Sequence, residues 1–342
     1  MDKIQYISPS SFYYWEKCPL QAVMSKVYST YAIFPRHPDA DLGSLIHKFY
    51  EKQSEWDIDS VNKFNAKWNE AIVEINKQYK EDNLQYNYYP IQWHSKYYAL
   101  KKHFLCKKLI PIEKKDKVET NAQVQYLYEQ WINNDIIGGK IDLLVKENGI
   151  IKQIIDFKTG NIYEKGDNKL QIKEIYKQQL ALYCAVILKK QDFTPDIFIE
   201  TINGKRVKIE IENEYIEALT NKVRLLKNKI NSAIETDTTN LLSNCNLENC
   251  GHCSFRPYCE IYKSTLFNNK NGLNIDIKGR VTETKTNEIT IETTNNYFVI
   301  KKIKHCDKYK LNKEYEIYNL YFPESEENYL YETINTVIRY AE

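Results

Sequence analysis

Apolar residues recur along this chain at two spacings, which divide it into helical and strand-like segments. Helical spacing begins after Ser8-Pro9, covers most of residues 41–110, and returns over residues 170–189 and 214–236. The alternation typical of strands is found over residues 118–128, 136–145, 150–158 and 193–211. Two Asn-Gly pairs, at residues 148–149 and 203–204, indicate hairpin turns. These elements predict an α/β core in which helices flank a mixed central sheet, with a helical insertion at about residues 41–115.

Beyond residue 272 the pattern changes to short β-type runs. They are predicted at residues 275–282, 288–292, 297–303 and 314–321. A small C-terminal β-barrel, similar in form to an OB-fold, is the most economical arrangement for residues 272–342.

Composition narrows the class of protein without identifying a partner. The chain has 342 residues, 42% of them hydrophobic, and 48 Lys and Arg against 46 Asp and Glu, so any binding to nucleic acid needs a local basic patch. No apolar run approaches the roughly 18 residues of a membrane span. The start, Met1-Asp2-Lys3-Ile4-Gln5, has no signal-peptide pattern. We therefore expect a cytoplasmic protein with no membrane partner, in which the eight cysteines favour metal binding over disulfides.

Carboxylates and one lysine on the predicted hairpin indicate hydrolytic chemistry. Asp156 and Lys158 lie two apart on a strand and are expected to share a face, while Asp142 on the preceding strand supplies a second carboxylate. Oxygen ligands suit Mg or Mn, which can polarise a phosphodiester and lower the pKa of a bound water. Acid-x-Lys triplets also occur at residues 113–115, 167–169 and 276–278, but only Asp156-Phe157-Lys158 ends an apolar strand and precedes a glycine turn.

The register of this hairpin decides whether the two carboxylates can act together. A regular two-residue Asn148-Gly149 turn would pair Asp142 with Ile155 and leave Asp142 and Asp156 on opposite faces. A three-residue loop, or a β-bulge, would restore both to one face. We predict one of these two irregularities.

Three further side chains are candidates for the same site. Gln179 and Tyr183 stand one helical turn apart and share a face, although such residues are often surface fillers. His47 on a predicted helix could add a nitrogen ligand, which would favour Mn, although a single histidine is more often structural. Glu119 is a weaker candidate, because an acidic residue at the start of a strand is commonly solvated.

The cysteines predict a second metal site. Cys250, Cys253 and Cys259 form a C-x2-C-x5-C cluster, and Cys18 could supply the fourth thiolate of a [4Fe-4S] cluster. Zinc is the alternative, since Cys245 would complete a local four-thiolate site and His252 is a further possible ligand. The hydrolytic residues between Cys18 and the cluster favour iron–sulfur. Either metal is expected to be structural, because it would close a very long loop.

Taken together, the motifs resemble the RecB-like branch of the PD-(D/E)XK nuclease superfamily. The similarity is greatest to its iron–sulfur members, the AddB-type recombination nucleases and the CRISPR-associated RecB-like exonucleases, and it covers about residues 4–265. The motifs are Ser8-Pro9-Ser10 with Cys18-Pro19, Gly43-Ser44-Leu45-Ile46-His47, Gly139-Lys140-Ile141-Asp142, Ile155-Asp156-Phe157-Lys158-Thr159-Gly160, Gln179-Leu180-Ala181-Leu182-Tyr183 and the cysteine cluster. Each motif is weak alone, and their combination is specific.

The resemblance implies a restriction-endonuclease-like core and a set of roles. It implies that Mn or Mg is bound by His47, Asp142, Asp156 and the Phe157 backbone carbonyl, that Lys158 is catalytic, and that Gln179 and Tyr183 complete the site. It also implies a [4Fe-4S] cluster on Cys18, Cys250, Cys253 and Cys259. Cys245 departs from the family pattern. Residues 272–342 lie outside the resemblance, and a barrel there could hold single-stranded nucleic acid or dock a protein.

The resulting expectation is a metal-dependent deoxyribonuclease, of exonuclease type, acting on single-stranded DNA or DNA ends in repair, recombination or defence. The expected nuclease domain is residues 1–267, with a catalytic core at about 116–235 and a cluster region at 245–262 joined to Cys18; residues 272–342 form the second domain. Two alternatives are a partner-dependent or inactive cluster-bearing scaffold that binds nucleic acid, and a zinc-stabilised RNA-processing nuclease. No phosphate-loop motif occurs, so unwinding would need a separate helicase or another repair or defence protein.

Overall fold

Helices predominate before residue 110 and strands after residue 270. The structure is a computed structural model that describes residues 1–28, 34–53, 55–110, 123–166, 170–304, 306–323 and 328–341. Its α-helices are α1 (Pro9–Lys17), α2 (Leu20–Val27), α3 (Pro38–Lys52), α4 (Val61–Glu81), α5 (Ile91–His94), α6 (Tyr98–Leu109), α7 (Glu174–Ile187), α8 (Asn213–Glu235), α9 (Leu247–Gly251) and α10 (Glu260–Leu266). Among the described residues, no helix combines the length and the apolarity needed to span a bilayer.

The strands form two main sheets. They are β1 (Val124–Asn133), β2 (Gly138–Glu147), β3 (Ile150–Lys158), β4 (Tyr163–Lys165), β5 (Leu170–Ile172), β6 (Asp196–Thr201), β7 (Arg206–Lys208), β8 (Lys270–Asn271), β9 (Asn274–Lys285), β10 (Glu288–Glu292), β11 (Tyr297–Lys301), β12 (Glu314–Tyr321), β13 (Tyr329–Tyr331) and β14 (Val337–Tyr340).

The chain divides into two compact units, each built from separate stretches of sequence. The first unit comprises Met1–Ala22, His37–Tyr79 and Tyr89–Leu242, and the second comprises Val23–Arg36, Lys80–Tyr88 and Ser243–Glu342. Cys18 therefore belongs to the first unit, whereas Cys250, Cys253 and Cys259 belong to the second.

The first unit contains a mixed central sheet flanked by helices, as predicted. The strand order is β1-β2-β3-β6-β7, with β3 and β6 parallel and the other pairs antiparallel. Phe157 on β3 packs against Tyr50 of α3, with ring centroids 4.4 Å apart, while its neighbour Asp156 contacts Gln179 of α7. Because successive residues of a strand point to opposite faces, α3 and α7 cover opposite sides of the sheet.

The hairpin of β2 and β3 has the irregular register that the sequence analysis required. Its turn is the two-residue Asn148-Gly149, with both residues at positive φ (49° and 85°), and Glu147 pairs with Ile150. One residue further on, the register shifts between Val145 and Lys146, so that Leu143 pairs with Ile155. This β-bulge places Asp142 opposite Asp156, and the predicted irregularity is confirmed in its bulge form.

The second unit contains a sheet that closes on itself. Pairing runs from β9 through β10, β11, β13 and β12, and β12 returns to β9, while β8 and β14 extend the edges. The pair β11–β13 is parallel, and the other pairs of the ring are antiparallel. The interior is filled by buried apolar side chains, among them Ile277, Ile291, Ile300, Leu320 and Leu330.

One glycine allows two strands of this ring to approach closely. A Cβ atom on Gly279 of β9 would lie 2.4 Å from the Glu292 carbonyl oxygen and 2.6 Å from a side-chain carbon of Ile291. Both neighbours belong to β10, whose register against β9 shifts between Thr290 and Ile291. Glycine therefore avoids a clash where β9 and β10 approach each other closely.

Candidate functional site

Three ligand-type side chains from three elements meet at one edge of the first unit's sheet. His47 lies on α3, Glu129 on β1 and Asp142 on β2. His47 Nδ1 is 3.2 Å from Glu129 Oε1 and 3.4 Å from Asp142 Oδ1. One ligand atom from each residue lies within 4.8 Å of the others, which makes the group a candidate metal site among the described residues. An imidazole with two carboxylates suits Mn or Mg.

Glu129 is the member that the sequence analysis missed. The register of β1 and β2, with Tyr128 opposite Leu143 and Gln130 opposite Ile141, places Glu129 opposite Asp142. Glu129 has φ 51°, a left-handed conformation that is uncommon for a residue with a side chain. Its other carboxylate oxygen lies 3.0 Å from Lys140 Nζ. The predicted strand 118–128 ended one residue short of Glu129, and the weaker candidate Glu119 lies outside the described residues.

The two carboxylates control the charge of His47. Burial lowers the pKa of the imidazole, but the hydrogen bonds and negative charges of Asp142 and Glu129 outweigh burial and raise this pKa to about 10. In the protein without a divalent ion, His47 is therefore protonated at neutral pH and supplies one positive charge between the carboxylates. Nearby cations also lower the pKa of Glu129, against the opposing effect of its burial.

Asp156 and Lys158 form a second, more deeply buried pair. The side chain of Asp156 is 2% exposed, and Lys158 Nζ lies 2.7 Å from its Oδ2 atom. That oxygen has no hydrogen bond of ordinary geometry among the described residues despite the short ionic contact. Burial raises the pKa of Asp156 to about 6, and the charge of Lys158 limits the rise. A buried carboxylate oxygen lacking a hydrogen bond is suited to a cation as its additional partner.

Gln179 orients this pair. Its amide nitrogen donates to Asp156 Oδ1 at 3.2 Å, and its carbonyl oxygen accepts from Lys158 Nζ at 3.2 Å. The ring of Tyr176, three residues earlier on α7, lies under the same ammonium, with Nζ 4.6 Å from the ring centroid. The amide and the ring hold Lys158 in one position beside Asp156.

The backbone of β3 connects the two groups of residues. Phe157 N donates to Asp142 Oδ2 at 2.6 Å, so one oxygen of Asp142 is held while the other faces His47. The bulged register places Asp142 and Asp156 opposite each other on neighbouring strands. The structure therefore brings together five residues that the sequence analysis singled out: His47, Asp142, Asp156, Lys158 and Gln179.

Tyr183 shares the face of α7 that its spacing from Gln179 indicates, and its hydroxyl interacts with the Gln179 side chain. Its side chain is buried, and its hydroxyl donates to the Lys140 carbonyl at 2.6 Å. A Cβ atom on Gly139 would lie 3.3 Å from the Tyr183 ring and 2.8 Å from Pro9 of α1. Tyr183 thus fixes the strand that carries Asp142, and Gly139 leaves room for the ring.

The cysteine cluster lies in the second unit, around α9 and α10. Cys250 is buried, Cys253 and Cys259 are half-buried, and Cys245 Sγ lies 3.6 Å from Cys250 Sγ. Cys18 is buried in the first unit, directly after α1.

Arg256 holds the main chain of this cluster. One of its terminal nitrogens donates to the carbonyls of Cys250, Gly251 and Cys253, at 3.1, 2.7 and 3.3 Å. Its Nε forms a buried ion pair with Asp276 of β9 at 2.8 Å. The cysteine segment is therefore tied to the barrel through one guanidinium group.

Comparison with known proteins gave one family match and several structural ones. The model of the PD-(D/E)XK nuclease superfamily matches residues 6–260. The match to a crystal structure of a candidate exonuclease from Eubacterium rectale covers 76% of this chain and 93% of the exonuclease chain, at 14% identity and a TM-score of 0.37. The match to another solved structure, described as "Structural mimicry for functional antagonism", covers 66% of this chain and 98% of the other, at 8% identity and a TM-score of 0.18. No curated protein matches the chain.

The family match agrees with the placement of the candidate residues. The matched segment is well over half of the chain, and it contains every side chain that meets around Asp142 and Asp156. Glu129, which the sequence analysis did not single out, also lies within it. The chain belongs to the PD-(D/E)XK nuclease superfamily, whose members are metal-dependent nucleases.

Proposed function

We propose that this protein is an Mn- or Mg-dependent deoxyribonuclease that hydrolyses phosphodiester bonds in single-stranded DNA or at DNA ends. The observation that carries the proposal is the meeting of the His47–Glu129–Asp142 group with the Asp156–Lys158 pair across one bulged hairpin. His47, Glu129, Asp142, Asp156 and the Phe157 carbonyl are the groups that would hold the ion. When bound, a divalent ion supplies Lewis-acid polarisation of the phosphate and a more acidic water.

The protein's own side chains supply position and charge. Lys158 carries an ammonium that Gln179 and Asp156 hold in place, and it can stabilise negative charge that develops on a phosphoryl oxygen. Asp156 is buried, which strengthens its interaction with any nearby cation. Tyr183 is a positioning residue, because its hydrogen bond to Lys140 fixes the strand of Asp142.

The exonuclease type, and a place in repair, recombination or defence, are supported by the resemblance of the motifs to RecB-like nucleases. A separate helicase would supply unwinding.

Two alternatives differ in what they predict. A partner-dependent or inactive scaffold would bind nucleic acid without cutting it, and an RNA-processing enzyme would prefer RNA.

The first test is cleavage of end-labelled linear and circular DNA, single- and double-stranded, by anaerobically purified protein with Mn or Mg. We expect the wild type to cut, and Asp156→Ala and Lys158→Ala to lose at least about 100-fold in rate. Asp196→Ala and Lys208→Ala are matched controls, because these residues form an exposed ion pair 2.9 Å long on the same sheet. Equal cutting by a folded Asp156→Ala variant would refute the assignment.

The substrates and metal controls separate the remaining alternatives. Cutting of linear DNA alone indicates an exonuclease, and cutting of circles indicates an endonuclease. Preferential cutting of RNA supports the RNA-processing alternative. Intact, metal-loaded protein that cuts none of these substrates supports the scaffold.

For the cysteines we propose a [4Fe-4S] cluster on Cys18, Cys250, Cys253 and Cys259. The support is the motif resemblance and three cysteines within one short segment of the second unit. Zinc is the alternative, and one distance supports it. Cys245 Sγ and Cys250 Sγ are 3.6 Å apart, close to the roughly 3.8 Å between two thiolates on one tetrahedral zinc.

Metal analysis of two single variants separates iron–sulfur from zinc without an activity assay. Under the iron–sulfur proposal, Cys18→Ser loses iron and inorganic sulfide while Cys245→Ser retains both. Under the zinc alternative, the purified protein contains zinc, which Cys245→Ser loses and Cys18→Ser keeps.

For the C-terminal barrel we propose an OB-like fold. The support is a closed ring of five strands in which the third and fifth, β11 and β13, are parallel.

A further inference from the structure

The barrel of the second unit exposes tyrosines and lysines together on one outer face. Inward-pointing Phe298, Ile300 and Leu330 are buried, so the residues that alternate with them on β11 and β13 point outward. We name the outward set the Tyr–Lys surface. It consists of Tyr297 and Lys301 of β11 and Tyr329 and Tyr331 of β13, together with exposed Tyr321 at the end of β12 and exposed Lys302, which follows β11 with a φ of 60°.

Strand pairing places these side chains side by side. Lys301 of β11 is paired with Tyr331 of β13, which in turn is paired with Tyr321 of β12. The rings of Tyr321 and Tyr331 have centroids 6.3 Å apart. Tyr297, Tyr321 and Tyr329 are 57%, 37% and 39% exposed, so part of each side chain is accessible to a ligand.

The lysines lie directly over these rings. Lys301 Nζ is 3.5 Å from the centroid of Tyr329, and Lys302 Nζ is 5.1 Å from that of Tyr331. Such contacts hold an ammonium beside an aromatic face without neutralising its charge. A ligand on this surface therefore meets a ring and a positive charge at each of two neighbouring positions.

A groove continues the positive charge beyond the rings. It has a volume of about 640 Å³ and is lined by Lys285, Lys301, Lys302 and Lys304, with Glu288 as its one acidic lining residue. Glu288 is paired with Lys285 at 3.2 Å, and Glu283 is also paired with Lys285, at 3.3 Å. Glu332 adds a third carboxylate, which accepts from Lys304 N at 2.9 Å, so the four lysines still leave the groove with a net positive charge.

This combination fits one class of ligand. Lysine is depleted in the cores of protein interfaces, which argues against a docked protein. Duplex bases are stacked and paired, so their faces are closed to protein rings, whereas unpaired bases can stack on tyrosine while lysines contact the phosphates. We propose that the Tyr–Lys surface binds single-stranded nucleic acid. The choice of ligand rests in part on the proposed nuclease function, but the binding does not require catalysis.

The test is fluorescence anisotropy with labelled single-stranded DNA, RNA of the same sequence, and the duplex. The parent protein carries Asp156→Ala and is measured without divalent metal, so that the oligonucleotide stays intact. We expect the parent to bind a single strand more tightly than the duplex, and Tyr329→Leu to weaken Kd at least about fivefold. Tyr329→Phe, which keeps the ring, should bind like the parent.

Salt dependence separates the lysines from the rings. Lys301→Gln and Lys302→Gln should each reduce the slope of log affinity against log salt by about 0.7. Lys278→Gln, on an exposed position of β9, and Tyr340→Leu, a 56% exposed tyrosine on β14, are matched controls that should change neither quantity. Comparison of the affinities for single-stranded DNA and RNA shows which of the two the surface prefers.

The outcomes distinguish this proposal from the nuclease proposal. Unchanged Kd and salt slope in folded Tyr329→Leu and Lys301→Gln variants would overturn the Tyr–Lys surface, even if the wild type cuts DNA. A parent that binds duplex as tightly as single strands would overturn it as well. Loss of single-strand binding in these variants supports the proposal that the Tyr–Lys surface binds single strands, even if no cleavage is found.

Discussion

Glu129 reaches the candidate metal group through one unusual backbone conformation. Its φ of 51° accompanies a side chain that contacts both His47 and Lys140, although β1 is an edge strand of the sheet. Strained backbone conformations of this kind are concentrated at functional sites. The carboxylate of Glu129 therefore has as strong a geometric claim to the metal as those of the residues in the recognisable motifs.

Glu129→Gln is expected to weaken Mn binding about 10- to 100-fold, because it removes a charge while keeping the size of the side chain. The measurement is calorimetric Mn titration together with the cleavage rate. Glu51→Gln is the control, since Glu51 also approaches Lys140, at 3.7 Å, but lies outside the ligand group. Similar Mn affinities for Glu129→Gln and the wild type would exclude Glu129 as a ligand.

Gly139→Ala is expected to destabilise the first unit by about 1–3 kcal/mol. The new methyl would lie 2.8 Å from Pro9 and 3.3 Å from the Tyr183 ring, so α1 or α7 must shift. Gly160→Ala is the matched control, because a Cβ there has no heavy atom within 4 Å. Thermal unfolding measures both, and equal stabilities would show that the packing around Gly139 can relax.

At the scale of single residues, sequence alone identified the side chains that stand in short motifs. Asp142, Asp156, Lys158 and Gln179 could be named because each sits at a recognisable place on a strand or helix. Glu129 could not, since it stands in no motif and becomes relevant only when the register of β1 against β2 is known. The hydrogen bond from Tyr183 to the Lys140 carbonyl likewise depends on how α7 packs against β2.

At the scale of elements, the bulge in β3 is supported by a residue distant in sequence. Gln191 accepts a hydrogen bond from Ile151 N at 3.1 Å and donates to Ile151 O at 3.0 Å. Lys152 is the extra residue, because Ile151 pairs with Lys146 and Gln153 with Val145. The amide of Gln191 thus satisfies the backbone where the ladder is interrupted.

Gln191→Ala is expected to destabilise the first unit by about 1–3 kcal/mol, because it leaves backbone groups of the bulge without partners. Lys190→Ala, at an exposed neighbouring position, is the control. Hydrogen exchange of the Ile151 amide is the most direct measurement. Exchange at the wild-type rate would show that the bulge holds its shape without Gln191.

The bounds of the predicted elements agree with the structure to different degrees. The predicted strands at 150–158, 288–292 and 314–321 have the observed bounds, and the predicted helix 214–236 differs by one residue at each end. β13 and β14 contain three and four residues, which is too short for alternation to be recognised. The predicted helix 170–189 begins later, at Glu174, because Leu170–Ile172 pairs as β5 with β4.

At the scale of the whole molecule, the two compact units are each assembled from distant stretches of sequence. Sequence patterns predicted a boundary near residue 267, where the helical character ends. Contacts between the cysteine segment and the barrel include those of Arg256 with Asp276 of β9 and with the side chain of Asn319 of β12, at 2.8 and 2.6 Å. Long-range contacts of this kind leave no local signal in the sequence.

Arg256→Met is expected to destabilise the second unit by about 3–5 kcal/mol, because it leaves Asp276 buried without its counter-charge. Arg280→Met, at an exposed position of the same strand, should have little effect. Hydrogen exchange of peptides from residues 243–342 measures this unit separately from the first. A loss below about 1 kcal/mol would mean that the remaining bonds of Asp276, from Tyr262 and Asn319, suffice.

The position of Arg256 also sets an order of events during synthesis. Cys250, Cys253 and Cys259 leave the ribosome before Asp276 and Asn319, the residues that anchor the guanidinium holding their main chain. In a newly made chain, the guanidinium of Arg256 therefore lacks one of its anchors until β12 has been translated and has joined the barrel. If these thiols bind the metal proposed for them, a chain interrupted before β12 would have to bind it without the hydrogen bond between Arg256 and Asn319.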